Sequence, residues 1–364
     1  MRRALPCGRG CARRERRGCA IRRARTGSGA TTGDARMSTH EQARETPAAT
    51  STSGTQPDAT VAPRIHTMAA GELVAVFRPE QGMLCTSLKH RGEEILRRVD
   101  EMEEALATGM SIGVPLNYPW ANRLRAPNYD FDGKEVELDP ASPWLMKDWN
   151  GVIIHGVPWT KLDWRVEEAT DRRLHSRLKW NRPELLDVFP FEHEVEMTAT
   201  LDGLGLTIET AVLATAGTRV PVSFGFHPYI GLPGMHREQW QLSLPSMQGI
   251  VLDERLLPIG ERTNLPAYQG PLADLDFDHG FAFTTASPTM SISGNGRRIS
   301  VDFLENFPFA QIYAPPGHDY ISLEPMTAPA DALRSHVGLR EVAPGERFAA
   351  TFRLRVEPTE NALH

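Results

Sequence analysis

Seven polar side chains in this 364-residue sequence stand where a chain could do acid–base chemistry on a hydroxyl-rich molecule. Glu324 ends the apolar run of "ISLEPMTAPADAL" (321–333) and is followed by Pro325 and Pro329. If Ile321 and Leu323 share one face of a strand, Ser322 and Glu324 share the other, and a carboxylate on an interior face becomes a stronger base. His227, in "SFGFHPYIGLPG" (223–234), is pinned by Pro228, which forces extended backbone and projects the imidazole from a stiff support. Histidine titrates closest to neutrality and suits proton donation to an ether oxygen. His155, in "IIHGVPW" (153–159), can hold a hydroxyl, and Trp159 beside it offers a flat apolar face to a sugar ring. The loop "VPLNYPWANRLR" (114–125) frames Asn122, Arg123 and Arg125 with Pro and Trp, and the forked arginine donor suits neighbouring hydroxyls or a carboxylate. Asp278, in "LDFDHGFAF" (275–283), is an acid before an apolar strand. Each has a bland counterpart: an exposed strand-end Glu, a His capping a turn, a surface Arg on a loop.

Motifs that would redirect the chemistry are missing from the sequence. It contains no H-E-x-x-H, paired C-x-x-C or Asp-rich calcium loop, and no G-x-S-x-G, Walker loop or strand-bounded G-x-G-x-x-G. What is left is acid–base chemistry with no metal and no cofactor, on a polyhydroxylated ligand.

The elements that must position these groups read as short strands. "GELVAVFRPEQG", "MLCTSLKHRGEEIL", "QWQLSLP", "RRISVDFL", "FAQIYAPP" and "RFAATFRLRVEP" alternate apolar and polar positions, and "EHEVEMTATLDGLGLTIETAVLAT" reads as a hairpin turning at Asp202-Gly203. One stretch, roughly 93–108 ("EEILRRVDEMEEALAT"), has helical composition and neither Gly nor Pro. No fixed-period repeat is evident. The pattern predicts an all-β, antiparallel protein with few helices, by itself a large β-sandwich of no stated purpose.

Charge divides the chain. Residues 1–36 hold 11 Arg against Glu15 and Asp34, so a head of +9 leaves about −15 of the net −6 to the remainder. An acidic body is a poor partner for nucleic acid. Three of the four cysteines (Cys7, Cys11, Cys19) lie in the head, leaving Cys85 in the body, so disulfides do not staple the core. The head lacks the apolar segment of a signal peptide and reads as a transit-like or non-structural extension, and 38–63 is a Ser/Thr/Ala/Pro-rich leader that buries too little to order. Residues 1–64 are therefore expected to be disordered and 65–360 to form a single catalytic domain. No run of 18 apolar residues occurs, so no membrane span is expected and the location expected is cytoplasmic.

Taken in order, "PWANRL", "HGVPW", "FGFHPY", "DFDHGF" and "FAQIYAPPGHDYISLEPMTAPADAL" resemble the aldose 1-epimerase (galactose mutarotase-like) family, from about residue 70 to the final "LREVAPGERFAATFRLRV". The resemblance implies a single large antiparallel β-supersandwich and an isomerase that interconverts the α and β anomers of an aldose. It implies Glu324 as the base on the anomeric hydroxyl and His227 as the acid on the ring oxygen. Arg123, His155 and Asp278 would hold the substrate, with Asn122 beside them. No cofactor is implied, and the partner is a small-molecule sugar, the chain being a monomer or homodimer. Ile230 departs from the aromatic residue that many relatives carry after "HPY". Two alternatives accompany this reading: a hexose-6-phosphate 1-epimerase, for which Arg125 would supply positive charge, and a non-catalytic carbohydrate-binding module. A glycoside hydrolase ranks last, because the pair here is a histidine and a glutamate rather than two carboxylates.

Overall fold

The computed structural model describes Arg22–Arg23, residues 65–97, Val99, Glu104 and residues 112–359. Strands dominate, and the alternation expected from sequence is what buries them. Arg173–Trp180, His193–Asp202 and Arg347–Pro358 each turn every second side chain inward, so that Leu174, Leu178, Val195, Met197, Phe352 and Leu354 are almost fully buried. The expected hairpin is present: His193–Asp202 pairs with Gly205–Leu213, and the Asp202 carboxylate accepts the amides of Leu204 and Gly205 to close the turn.

Two large antiparallel sheets result. One runs, in spatial order, through Pro258–Leu265, Met247–Leu252, Leu275–Phe283, Phe309–Ala314, Ile321–Met326, Gly225–Phe226 and Leu116–Asn117. Tyr229–Ile230 also pairs with Ile321–Met326, and Arg22–Arg23 pairs with Leu275–Phe283. The other runs through Arg165–Ala169, Arg173–Trp180, His193–Asp202, Gly205–Leu213, Arg347–Pro358, Arg297–Glu305, Thr289–Gly294, Gln241–Leu244 and Tyr268–Pro271. Their facing sides meet through aromatic pairs, Phe226 with Phe352 at 4.8 Å and Phe283 with Phe303 at 4.7 Å between ring centroids. One apolar cluster runs from Met68 to Val356 and draws on both sheets.

The helix expected over 93–108 is corrected at its start. Glu93–Glu94 is a strand on Leu84–His90, and Leu96 bridges Ile230. Tertiary partners override helical propensity here: the Glu94 carboxylate accepts Ser87 Oγ at 2.5 Å and the amides of Leu88 and Leu96, and Arg297 donates to Glu93 at 2.6 Å. Residues 100–103 and 105–108 lie outside the described residues, as do the leader 38–63 and all of the Arg-rich head except Arg22–Arg23. Among the described residues no helix is long and apolar enough to cross a membrane, and no cluster of three or more His, Cys, Asp or Glu is arranged to hold a metal ion.

Candidate active site

Strand register gathers the site. Ile321–Met326 is buried along its whole length, yet its alternation holds: Ile321 and Leu323 enter the apolar cluster, while Ser322 and Glu324 turn to the opposite face. On the neighbouring strand Gln311 stands opposite Glu324 and Tyr313 opposite Ser322; one strand further, Gly280 pairs with Gln311 and Asp278 with Tyr313. On the other flank Tyr229 pairs with Ser322. A row of polar side chains thus crosses four strands on one face, because residues in register point the same way. Gly225, two residues before His227, sits where a Cβ would come within 2.7 Å of the Pro325 carbonyl oxygen, so only glycine lets the two strands close.

These residues floor a cleft of about 200 Å³ lined by Asn122, Arg123, His155, His227, Asp278 and Glu324, six of the seven polar side chains singled out from sequence. Gln311, Tyr313, Tyr229, Asp148 and Trp149 line it too. Gln311 and Tyr313 had a sequence signal, the polar positions of "FAQIYAPP" that alternate with buried Ala310 and Ile312. Asp148 and Trp149 sit in "MKDWNG", where nothing in the local pattern marks them.

At the centre Glu324 is 1% exposed, and His227 Nε2 lies 3.1 Å from its Oε1. The approach has the distance of an ion pair without hydrogen-bond alignment, and neither Glu324 oxygen receives a hydrogen bond from the protein. Burial, then the nearby Asp278 charge, push the Glu324 carboxyl well above its ordinary range, with Arg123 opposing. Burial, then His155, hold His227 well below 6.5. The direction for the pair is therefore toward its neutral form, with one proton shared between the two groups.

The His227 ring is oriented by its other nitrogen. Ser322 Oγ donates to the Pro228 carbonyl at 2.9 Å, so at 2.8 Å from His227 Nδ1 it accepts, which fixes the proton on Nδ1 and turns Nε2 toward Glu324. Tyr229 stacks on the same ring at 4.3 Å, with its hydroxyl 3.3 Å from Nε2.

Two non-glycine residues with positive φ, Asn122 (φ 63°) and His155 (φ 59°), clamp the other wall. The Asn122 amide donates to His155 Nδ1 at 3.1 Å, and the His155 amide returns a bond to the Asn122 carbonyl at 3.0 Å. An Nδ1 that accepts leaves the proton on Nε2, so neutral His155 is a donor, consistent with burial and the Arg123 charge lowering it to about 3. Gly156 follows with φ 65°, where a Cβ would meet the Tyr118 carbonyl oxygen at 2.5 Å. Asn122 itself turns Oδ1 to the Arg123 amide at 2.8 Å, which shapes the loop.

Arg123, 3% exposed, donates from Nε to Asp148 at 2.8 Å and from Nη2 to Asp278 at 3.3 Å. The other Asp278 oxygen accepts Gln311 Nε2 at 2.6 Å, so both oxygens are engaged and this carboxylate serves as an acceptor. Arg125 is elsewhere: Asp253 and Asp331 hold its guanidinium at 3.1 and 3.3 Å, and it does not line the cleft. Trp159 is also set aside, because it is 3% exposed and packs with Leu84 and Ile112 in a separate apolar cluster. The tryptophan at the cleft is Trp149, 72% exposed, with the Arg123 guanidinium 5.3 Å from its ring.

The aldose 1-epimerase family model matches residues 64–355. Among curated proteins, the uncharacterized protein YphB of Escherichia coli (strain K12) is 26% identical over 260 residues, covering 66% of this chain and 82% of that protein. Among solved structures, a galactose mutarotase-like protein from Clostridium acetobutylicum matches with a TM-score of 0.70 at 18% identity, covering 80% of this chain and 95% of that one. Galactose 1-epimerase from Lactobacillus acidophilus NCFM matches with a TM-score of 0.65 at 16% identity, covering 81% and 94%. The shared fold is galactose mutarotase-like, as the resemblance implied, and its antiparallel all-β class is the one the strand pattern predicted.

Proposed function

The chain belongs to the aldose 1-epimerase family, and from that premise we propose that it interconverts the α and β anomers of an unphosphorylated aldose by acid–base ring opening and reclosure. The observation that carries this is a buried carboxylate with no protein hydrogen-bond donor, facing an imidazole at 3.1 Å across a cleft lined with hydroxyl partners. Glu324 lacks what an anomeric hydroxyl supplies, and each hydrogen bond to a carboxylate favours its charged form.

The reaction begins from carboxylate and imidazolium. Glu324 removes the proton from the anomeric hydroxyl while His227 Nε2 delivers its proton to the ring oxygen; the bond from C1 to the ring oxygen breaks and C1 becomes an aldehyde carbon. Rotation about the C1–C2 bond presents the other carbonyl face, and reclosure returns one proton to His227 and takes one from Glu324. During the open-chain stage the pair is neutral, the state that burial favours, so the apolar surroundings help the ring-opening step. His155 Nε2–H, Arg123, Asp278 and Gln311 orient the hydroxyls.

Charge argues for a neutral sugar. The buried cation at the cleft, Arg123, is already shared between Asp148 and Asp278, Arg125 is shared between two other carboxylates, and Lys147 is exposed. Mutarotation followed by polarimetry over a panel of aldoses and their 6-phosphates tests this. Unphosphorylated substrates are expected to be turned over at least about tenfold faster. A preference for the phosphates would replace this reading with the hexose-6-phosphate one, and saturable binding without catalysed anomerisation would leave a binding module.

The pair also sets a pH profile. Activity needs one shared proton and is lost on the acid side when a second is taken up, at the lowered His227 value. After subtraction of the uncatalysed rate, the acid limb of kcat/KM is expected well below pH 6.5. An acid limb at or above 6.5 would show that burial does not govern His227.

A further inference from the structure

Trp149 is the most exposed of the large hydrophobic side chains among the described residues, at 72%, whereas Trp120, Trp159, Trp164, Trp180 and Trp240 are buried and Trp144 is partly so. An indole held in water forgoes the burial that makes tryptophan useful to a core. Its exposure does not come from a loose loop. The Asp148 carboxylate accepts the amides of Asn150 and Val152, both at 2.9 Å, as well as Arg123 Nε. Gly151 donates to the Asp148 carbonyl at 3.0 Å, and the Asp148 amide donates to Val152 at 2.9 Å. The turn is closed on itself, anchored to a buried arginine, and carries the ring to the rim of the cleft, with the Arg123 guanidinium against it.

On the reading that the cleft anomerises an aldose, we propose that Trp149 is a substrate-binding platform. It stacks on a pyranose face made of C–H groups, at the rim of the cleft beside Arg123. Three features meet: an apolar plane at the rim, a stacked cation that preorganises it, and a cleft whose other walls are hydrogen-bonding groups suited to ring hydroxyls. An indole has no group that exchanges a proton near neutral pH, so the ring contributes to holding the sugar and takes no part in moving protons. It selects pyranoses that present an uninterrupted C–H face and disfavours acyclic polyols, which present none.

The test is Trp149→Ala and Trp149→Phe in the full chain, with mutarotation kinetics and a titration of intrinsic tryptophan fluorescence by the aldose that the wild type turns over best. Trp149→Ala is expected to raise KM about fivefold to tenfold with kcat within about twofold, and Trp149→Phe to recover most of the loss. Saturable fluorescence quenching by sugar is expected in the wild type and absent from Trp149→Phe, with unchanged near-UV circular dichroism in both variants. An unchanged KM with quenching retained overturns the platform, and so does a fall in kcat at constant KM, which would make Trp149 a support for Arg123 only. A wild type that anomerises no aldose overturns the epimerase reading instead. The fluorescence titration with the same sugars then decides the platform alone, and no saturable quenching overturns it.

Discussion

Glu324→Gln is expected to lose catalysed mutarotation by about a thousandfold or more, since general acid–base catalysis contributes up to about four orders of magnitude and the other half of the pair has no base to return the proton to. The same variant is expected to melt at or above the wild-type temperature at pH 7. Burial holds the Glu324 carboxyl well above its ordinary value. A carboxyl whose folded pKa is raised weakens the fold as pH climbs from the unfolded value through the folded one, because the unfolded chain releases that proton first. Glutamine removes this pH-dependent cost and fits the same volume. Polarimetry and thermal melts on one preparation check both halves, and full activity in Glu324→Gln would remove Glu324 from the mechanism. Lost activity together with a collapsed melting temperature would mean that the side chain is there for the fold.

Arg123→Ala carries the largest expected effect on stability. Arg123 and the Asp148 carboxylate are 3% and 2% exposed in a 2.8 Å pair, and Asp278 shares the guanidinium. Removing the cation strands a buried carboxylate, a change that costs about 3–5 kcal/mol. Two backbone amides still serve Asp148, which points to the lower end of that range. Arg123→Lys keeps a charge and loses the fork, so it is expected to recover part of the stability and little of the activity. Adding Asp148→Asn to Arg123→Ala is expected to restore part of the loss by removing the stranded charge. Denaturant melts of the wild type, Arg123→Ala, Asp148→Asn and the double variant form the cycle that separates the pair from its surroundings, and additivity within error would show that Arg123 and Asp148 are not coupled.

The strand class was legible because it rests on a local property. Period-2 alternation in "EHEVEMTATLDGLGLTIETAVLAT" decides which side chains face inward wherever the strand ends up, and Asp202-Gly203 supplies turn chemistry in four residues. The stretch over 93–108 was misread at its start for the complementary reason. Its helical composition is a weak preference, and the groups that overrule it, Ser87, Leu88 and Arg297, come from elsewhere in the chain.

Six of the seven polar side chains singled out from sequence converge on one cleft, and their residue types already pointed to acid–base chemistry on hydroxyls. What the sequence by itself determined was the alternation that sets Glu324 opposite Leu323 and the proline that stiffens His227. Only the tertiary structure decided that Glu324 has no hydrogen-bond donor, that Ser322 points His227 Nε2 at it, and that His155 is a neutral donor. It also decided between look-alikes: Trp149 reaches the cleft and Trp159 is buried, Arg123 lines the site and Arg125 braces a loop. Burial, register across four strands and competition among carboxylates for one guanidinium depend on residues far apart in sequence, 155 positions in the bond from Arg123 to Asp278. A local pattern carries no record of partners at that separation, and those partners set the protonation states.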